Sequence, residues 1–151
     1  MIRTVADLLA NLPDKKHGLV VVDHLMTIDW VASVLTENSI NIVVVTKDGV
    51  PVGVISSSDV SDEVANGENL SERHAYEVMK RDVITTFAAE DISSVSKLMT
   101  DNDIRHIIVV DKDTWVEVLS IKEVLSAITA NEKELEDQFE MYKQSGYPPV
   151  S

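Results

Sequence analysis

The chain has 151 residues, a mass of 16.7 kDa and no cysteine, enough for one domain or two small repeats sharing one core, with no room for a separate catalytic domain. A net charge of −13 and a pI near 4.5 disfavour nucleic acid and membrane surfaces as partners, and the missing cysteines exclude disulfides and thiolate zinc sites. With 44% hydrophobic and 26% charged residues a folded interior is expected, and with no signal segment or long apolar run, a cytoplasmic location.

Taken in chain order, Thr4 with Asp7 three residues on forms a capping-box pattern ahead of a short helix carrying Val5, Leu8 and Leu9. Leu19 to Val22 reads as a short strand. Thr27 then precedes Ile28, Val31, Ala32, Val34 and Leu35 at helical spacing. Ile42 to Val45 and Val52 to Ile55 form a hairpin across Lys47-Asp48-Gly49, the Asp-Gly pair supplying the positive φ angles of a tight turn. A short helix starts at Ser57 and ends near Ala65. The polar stretch Asn66 to Arg73, with Gly67, reads as a surface connection.

The series then repeats. Val83 to Thr86 is a short strand, and Asp91 precedes a helix carrying Ile92, Val95, Leu98 and Met99. Ile107 to Val110 and Val116 to Leu119 pair across Asp111 to Thr114, and a helix starts at Ser120 and ends near Ile128. Asn131 to Tyr142 is a separate amphipathic helix whose stripe of Leu135, Phe139 and Tyr142 needs a cover on this chain or on a partner. The tail beyond Gly146, with Pro148 and Pro149, is expected to fray.

Displacing the sequence on itself by 64 positions sets Leu35 on Met99, Asn38 on Asn102, Ile40 on Ile104, Val45 on Val109, Val54 on Val118 and Ser56 on Ser120 without a gap. The fold class is therefore α/β (α+β): two βαββα repeats packed pseudo-symmetrically, sheet faces inward, with an N-terminal helix and a C-terminal amphipathic helix. Residues 1–66 form the first repeat with its N-terminal helix, 67–130 the second, and 131–151 the C-terminal helix and tail.

Val52-Gly53-Val54-Ile55-Ser56-Ser57-Ser58-Asp59 runs from a strand into a helix start, where free N–H groups and the helix dipole favour an anion. Gly53 admits a ligand close to the backbone, Ser56 and Ser58 can donate to phosphate, and Asp59 can accept from ribose hydroxyls. The other reading is structural: Ser57 or Ser58 caps the helix and Asp59 balances its dipole. Arg105 and His106 suit phosphate oxygens, or else pair with Asp101 or Asp103. His17, His24, His74 and His106 lack metal-ligand spacing, and no nucleophile elbow, Walker loop or HExxH occurs, so neither a metal site nor an enzyme is expected. Trp30 and Trp115 read as core or interface residues.

The repeat, Val83-Ile84-Thr85, the segment Ile104 to Val110 and the turn Gly53 to Asp59 resemble the CBS domain, named after cystathionine β-synthase, over roughly Val5 to Ile128. Two such domains in tandem form a Bateman module, and the C-terminal helix is similar to that of small stand-alone bacterial CBS-pair proteins. The resemblance implies regulatory binding of an adenosine-containing ligand such as AMP, ADP, ATP, NAD or S-adenosylmethionine between the repeats, with no required cofactor. Carried over, Ser56, Ser58 and Asp59 take ribose and phosphate, Val83 and Ile84 lie beside the base, and Arg105 with His106 meets the phosphate. A second site would use Val20, Val21, Ser120 and Glu123. There Glu117 stands in Gly53's place and Asn41 and Ile42 in those of Arg105 and His106, so it is expected to be empty or to take a different ligand. The resemblance also implies a homodimer acting on an unknown regulated protein. The alternative function is a dimerisation or partner-binding scaffold with decayed nucleotide sites.

Overall fold

The computed structural model describes residues 1–12 and 19–144. His17 and the tail beyond Gly146 lie outside the described residues. In order, the elements are α1 (Val5–Asn11), β1 (Val21–Asp23), α2 (Ile28–Glu37), β2 (Ile42–Lys47), β3 (Val50–Ser56) and α3 (Ser57–Ala65). They are followed by α4 (Ala75–Val78), β4 (Thr85–Phe87), α5 (Ile92–Asp101), β5 (His106–Asp111), β6 (Thr114–Ser120) and α6 (Ile121–Gln144). The 64-residue repeat is thus a repeat of structure, β1-α2-β2-β3-α3 answering to β4-α5-β5-β6-α6. Among the described residues no helix is long and apolar enough to cross a membrane.

Each copy holds a three-stranded sheet, ordered β1-β2-β3 or β4-β5-β6. The first two strands of each are parallel, joined through a helix, and the last two form the antiparallel hairpin. Asp48 and Gly49, at φ 53° and 77°, close the first hairpin, and the irregularity after Val45 recurs after Val109. The leading strands begin two residues later than their apolar runs. Val20 and Ile84 still present carbonyls to the Val44 and Ile108 N–H groups, so the ladder outruns the strands by one residue at its start.

The expected shared core is instead two cores. Ile28, Val31, Leu35, Val43, Val45 and Ile55 form one, and Ile92, Val95, Met99, Ile107, Val109, Leu119 and Val124 the other. The division follows from the pleat: Val43 and Val45 face the helix of their own copy, while Val44 points the opposite way. Val44 and its repeat partner Ile108 are nonetheless 0% and 1% exposed and belong to neither core, so the opposite sheet faces are covered as well.

The N-terminal helix, assigned by chain order to the first copy, packs in the second core through Val5 and Leu8. α4, which precedes the second copy, packs in the first core through Ala75. Three hydrogen bonds fix each crossing in the same pattern. Val5 and Ala6 N–H donate to the carbonyls of Glu90 and Ala88, and Ile92 N–H donates to that of Arg3. Ala75 and Tyr76 N–H donate to Met26 and His24, and Ile28 N–H donates to Arg73. The polar connection is therefore followed by an element that composition alone hides, a helix of four residues.

The second copy's last helix does not end near Ile128. It continues through Asn131 to Gln144 as one helix, because Thr129-Ala130-Asn131 contains neither glycine nor proline to stop it. Asn131 serves instead as a latch for the N-terminus: its side-chain oxygen accepts from Ile2 N–H at 2.9 Å and its amide donates to the Ile2 carbonyl. Leu135 and Phe139 remain 53% and 51% exposed, so the described residues leave these two of the stripe uncovered, and Trp30 on α2 is 65% exposed and is no core residue.

Candidate functional site

β3 delivers Ser56 to the start of α3 with extended backbone, and Ser56, not Ser57 or Ser58, is the helix cap. Its hydroxyl oxygen accepts from Asp59 N–H at 3.2 Å, and Asp59 Oδ2 accepts from Ser56 N–H at 2.8 Å. This reciprocal capping box ties both side chains to the helix start. Ser57 N–H donates to the Asn41 carbonyl at 2.9 Å, and Ser58 is exposed.

Asp59 is the notable group here, a carboxylate whose side chain is only 8% exposed. Its second oxygen, Oδ1, lies 3.3 Å from Lys80 Nζ, and that lysine side chain is 70% exposed. With the ammonium so exposed, the pair is screened by solvent and contributes about 0–1 kcal/mol. The junction is thus a buried carboxylate, fixed by one oxygen to its own helix start and paired through the other with an exposed lysine.

Lys80 reaches Asp59 because its segment lies along β3. Val54 N–H donates to the Lys80 carbonyl at 3.0 Å and Lys80 N–H returns to the Val54 carbonyl at 2.9 Å. This corrects the reading of Gly53. A Cβ there would sit 2.7 Å from the Lys80 carbonyl oxygen and 3.0 Å from Met79 Sδ, so the glycine makes room for the chain's own backbone. Continuing along the same segment, Val83 and Ile84 precede β4 and are half-buried.

The cationic pair is placed by β5. His106 on β5 pairs in register with Ser120, and the Arg105 carbonyl accepts from Ile121 N–H at 2.7 Å. Both residues therefore lie at the second strand-to-helix junction, in their own copy. There the Glu123 carboxylate accepts from Ser120 N–H and hydroxyl, both at 3.0 Å, and Glu123 N–H donates to Ser120 Oγ at 3.1 Å. Glu123 thus builds the same capping box as Asp59. Burial pushes the His106 imidazole below its ordinary value, the Glu123 charge opposing and Arg105 adding to the effect. Val20 is half-buried against the first core and Val21 is 54% exposed on β1.

Lys80 escaped the sequence reading because it stands outside the gap-free repeat. A signal was present in Arg73-His74-Ala75 with Glu77, which answers Arg3-Thr4-Val5 with Asp7 at a displacement of 70, not 64. Both acids accept the N–H of their cap residue, Asp7 from Thr4 at 3.2 Å and Glu77 from His74 at 2.8 Å.

Two βαββα units with paired capping-box junctions, each core closed by a helix from beside the other, define a tandem α/β repeat fold. The chain belongs to the CBS domain family: that family's profile matches residues 4–66 and again 75–130. Among solved structures, the CBS-domain containing protein ATU1752 from Agrobacterium tumefaciens is 27% identical with a TM-score of 0.77, covering 84% of this chain and 94% of that one. The CBS domain protein PAE2072 from Pyrobaculum aerophilum, solved in complex with AMP, is 27% identical with a TM-score of 0.68, covering 80% and 88%. The CBS domain pair of protein MJ0100, in complex with 5′-methylthioadenosine and S-adenosyl-L-methionine, is 23% identical with a TM-score of 0.72, covering 87% and 99%. Comparison with curated proteins finds no match.

Proposed function

We propose that the chain is a regulatory module that senses an adenosine-containing nucleotide between its CBS repeats, without catalysing a reaction, and acts as a homodimer on a regulated protein. Ser56, Ser58 and Asp59 take the ligand's ribose and phosphate, with Val83 and Ile84 beside its base and Arg105 with His106 at the phosphate. Residues 1–66 and 67–130 serve as the two repeats. The observation that carries this reading is Asp59, a buried carboxylate at a helix start whose outer oxygen holds only an exposed lysine. Two vicinal hydroxyls would replace that lysine as donors, and Lys80, once released, is within reach of a phosphate. The AMP complex of the Pyrobaculum aerophilum relative supports the ligand class.

The test is a thermal-shift series with AMP, ADP, ATP, NAD and S-adenosylmethionine on the parent and on Asp59→Ala. A ligand at a hundred times its Kd adds about 2.7 kcal/mol, which is about 5–10 °C for a chain of this size. The variant also loses the acceptor of Ser56 N–H, so the quantity compared is the shift on adding ligand, not the starting Tm. A shift in the parent that vanishes in the variant supports the reading; no shift with any of the five refutes it. A scaffold without a nucleotide is the second reading, favoured by the exposed Leu135, Phe139 and Met141 on α6. It would give a dimer by sedimentation that no nucleotide alters.

A further inference from the structure

At the far end of β3 from Ser56 lies a half-open cavity of about 360 Å³, walled by the residues just after β1, the turn end of the β2–β3 hairpin, α4 and the segment after it. Leu25, Val52 and Met79 give it an apolar lining, and Tyr76 adds an aromatic face. The Tyr76 ring stacks on His74 at 5.5 Å and stands tilted, 6.2 Å from the ring of His24. Two permanent cations, Lys47 and Arg81, complete the wall, and no carboxylate lines it.

That combination is unexpected in a chain with 26 acids against 13 lysines and arginines, where a cation has many acids to pair with. Among the described residues neither Lys47 nor Arg81 enters an ion pair, whereas Arg73, Lys80, Lys97 and Lys143 all do. The Arg81 guanidinium makes one long contact, 3.5 Å to the Tyr76 carbonyl, and keeps its other donors. His24 adds a buried Nδ1 that has no hydrogen-bond partner; it lies 3.4 Å from an Asp23 carboxylate oxygen, which accepts instead from Leu25 N–H. An apolar, aromatic-walled recess with unneutralised cations at its rim suits a ligand with the same two parts.

We propose that this cavity is a second binding site, separate from the Asp59 junction, for a small organic anion: a planar apolar body bearing one carboxylate or phosphate. Met79 and Arg81 reach the cavity, while Lys80 between them turns to Asp59. The two sites thus share one extended segment and no side chain.

Calorimetric titration of the full chain at low ionic strength, with phenyl phosphate, benzoate, inorganic phosphate and benzyl alcohol as probes, tests this. Phenyl phosphate or benzoate should saturate one site and shift the amide signals of Leu25, Val52 and Tyr76; which of the two binds tighter identifies the acid group. Benzyl alcohol should not saturate, and inorganic phosphate should bind at least about tenfold more weakly than phenyl phosphate, lacking the apolar contact. Arg81→Gln and Leu25→Glu each change an exposed side chain and should weaken the better probe by about tenfold or more. Asp59→Ala should leave that affinity unchanged. Failure of both anions to saturate, or binding that survives both Arg81→Gln and Leu25→Glu, overturns the proposal.

Discussion

Replacing Gly53 with alanine tests the packing on which the Asp59 junction rests. Its backbone conformation accepts a side chain, since Gly53 is not among the positive-φ residues, so the whole cost is steric. The new Cβ meets the Lys80 carbonyl oxygen at 2.7 Å and Met79 Sδ and Cγ at 3.0 and 3.1 Å. Met79 can swing aside, but the carbonyl is backbone, held by the two bonds of the Val54–Lys80 bridge. Keeping the bridge overpacks the site at about 1–3 kcal/mol, and giving up both bonds costs about the same, so one or the other is lost, not both. The lower unfolded-state entropy of alanine offsets about 0.4–1 kcal/mol. The net destabilisation is about 1–2 kcal/mol, a fall in Tm of about 3–8 °C, read by scanning calorimetry. A variant as stable as the parent refutes the reasoning and returns Gly53 to the role of a ligand-approach glycine.

Three further outcomes follow from the packing. Leu8→Ala should cost about 2–5 kcal/mol and lower amide protection in β5 while sparing β2, read by hydrogen exchange; loss confined to β2 would contradict the crossing of α1. Asn131→Ala removes both bonds to Ile2, so Tm should fall by a few degrees, for about 1–2 kcal/mol, and trypsin should cut sooner after Arg3. An unchanged rate would show that the latch is idle. Since burial holds His106 below its ordinary value of 6.5, the unfolded chain takes up the proton first; its contribution is full above pH 6.5 and is lost as pH falls below it. His106→Gln should therefore flatten the acid side of the Tm profile below pH 6.5, and a profile parallel to the parent's would refute this.

The hairpins, α2, α5 and the 64-residue register were legible because their signals are local: apolar residues at helical spacing, the Asp48-Gly49 turn, Thr27 and Asp91 before their helices. What escaped depended on distant parts of the chain. His74 and Glu77 repeat the capping pattern of Thr4 and Asp7, but nothing near Ala75 shows where a four-residue helix packs; its stability comes from Met26 and His24, some fifty residues earlier. Gly53 carries the same signature whether a ligand or Lys80 fills the space beside it. α6 differs in kind: it carries two apolar patterns, yet no residue between them breaks the backbone, so they form one helix. For the junctions, register placed Ser56 and Ser120 correctly, but which cation faces which carboxylate is set by how the strands pair, and β5 keeps His106 beside Ser120.

The crossing of α1 and α4 makes the molecule an internal counterpart of a swapped dimer, in which two halves each hold the other's leading helix. Residues 67–144 alone would carry the helix that their neighbour needs and lack the one that they need, so two identical halves would satisfy each other by the same exchange. Joining them in one chain keeps the partner at millimolar effective concentration and removes the requirement that the halves match. Gly53 against Glu117, Asn41 against Arg105 and Asp59 against Glu123 are what that freedom has allowed: one architecture with two junctions of different chemistry.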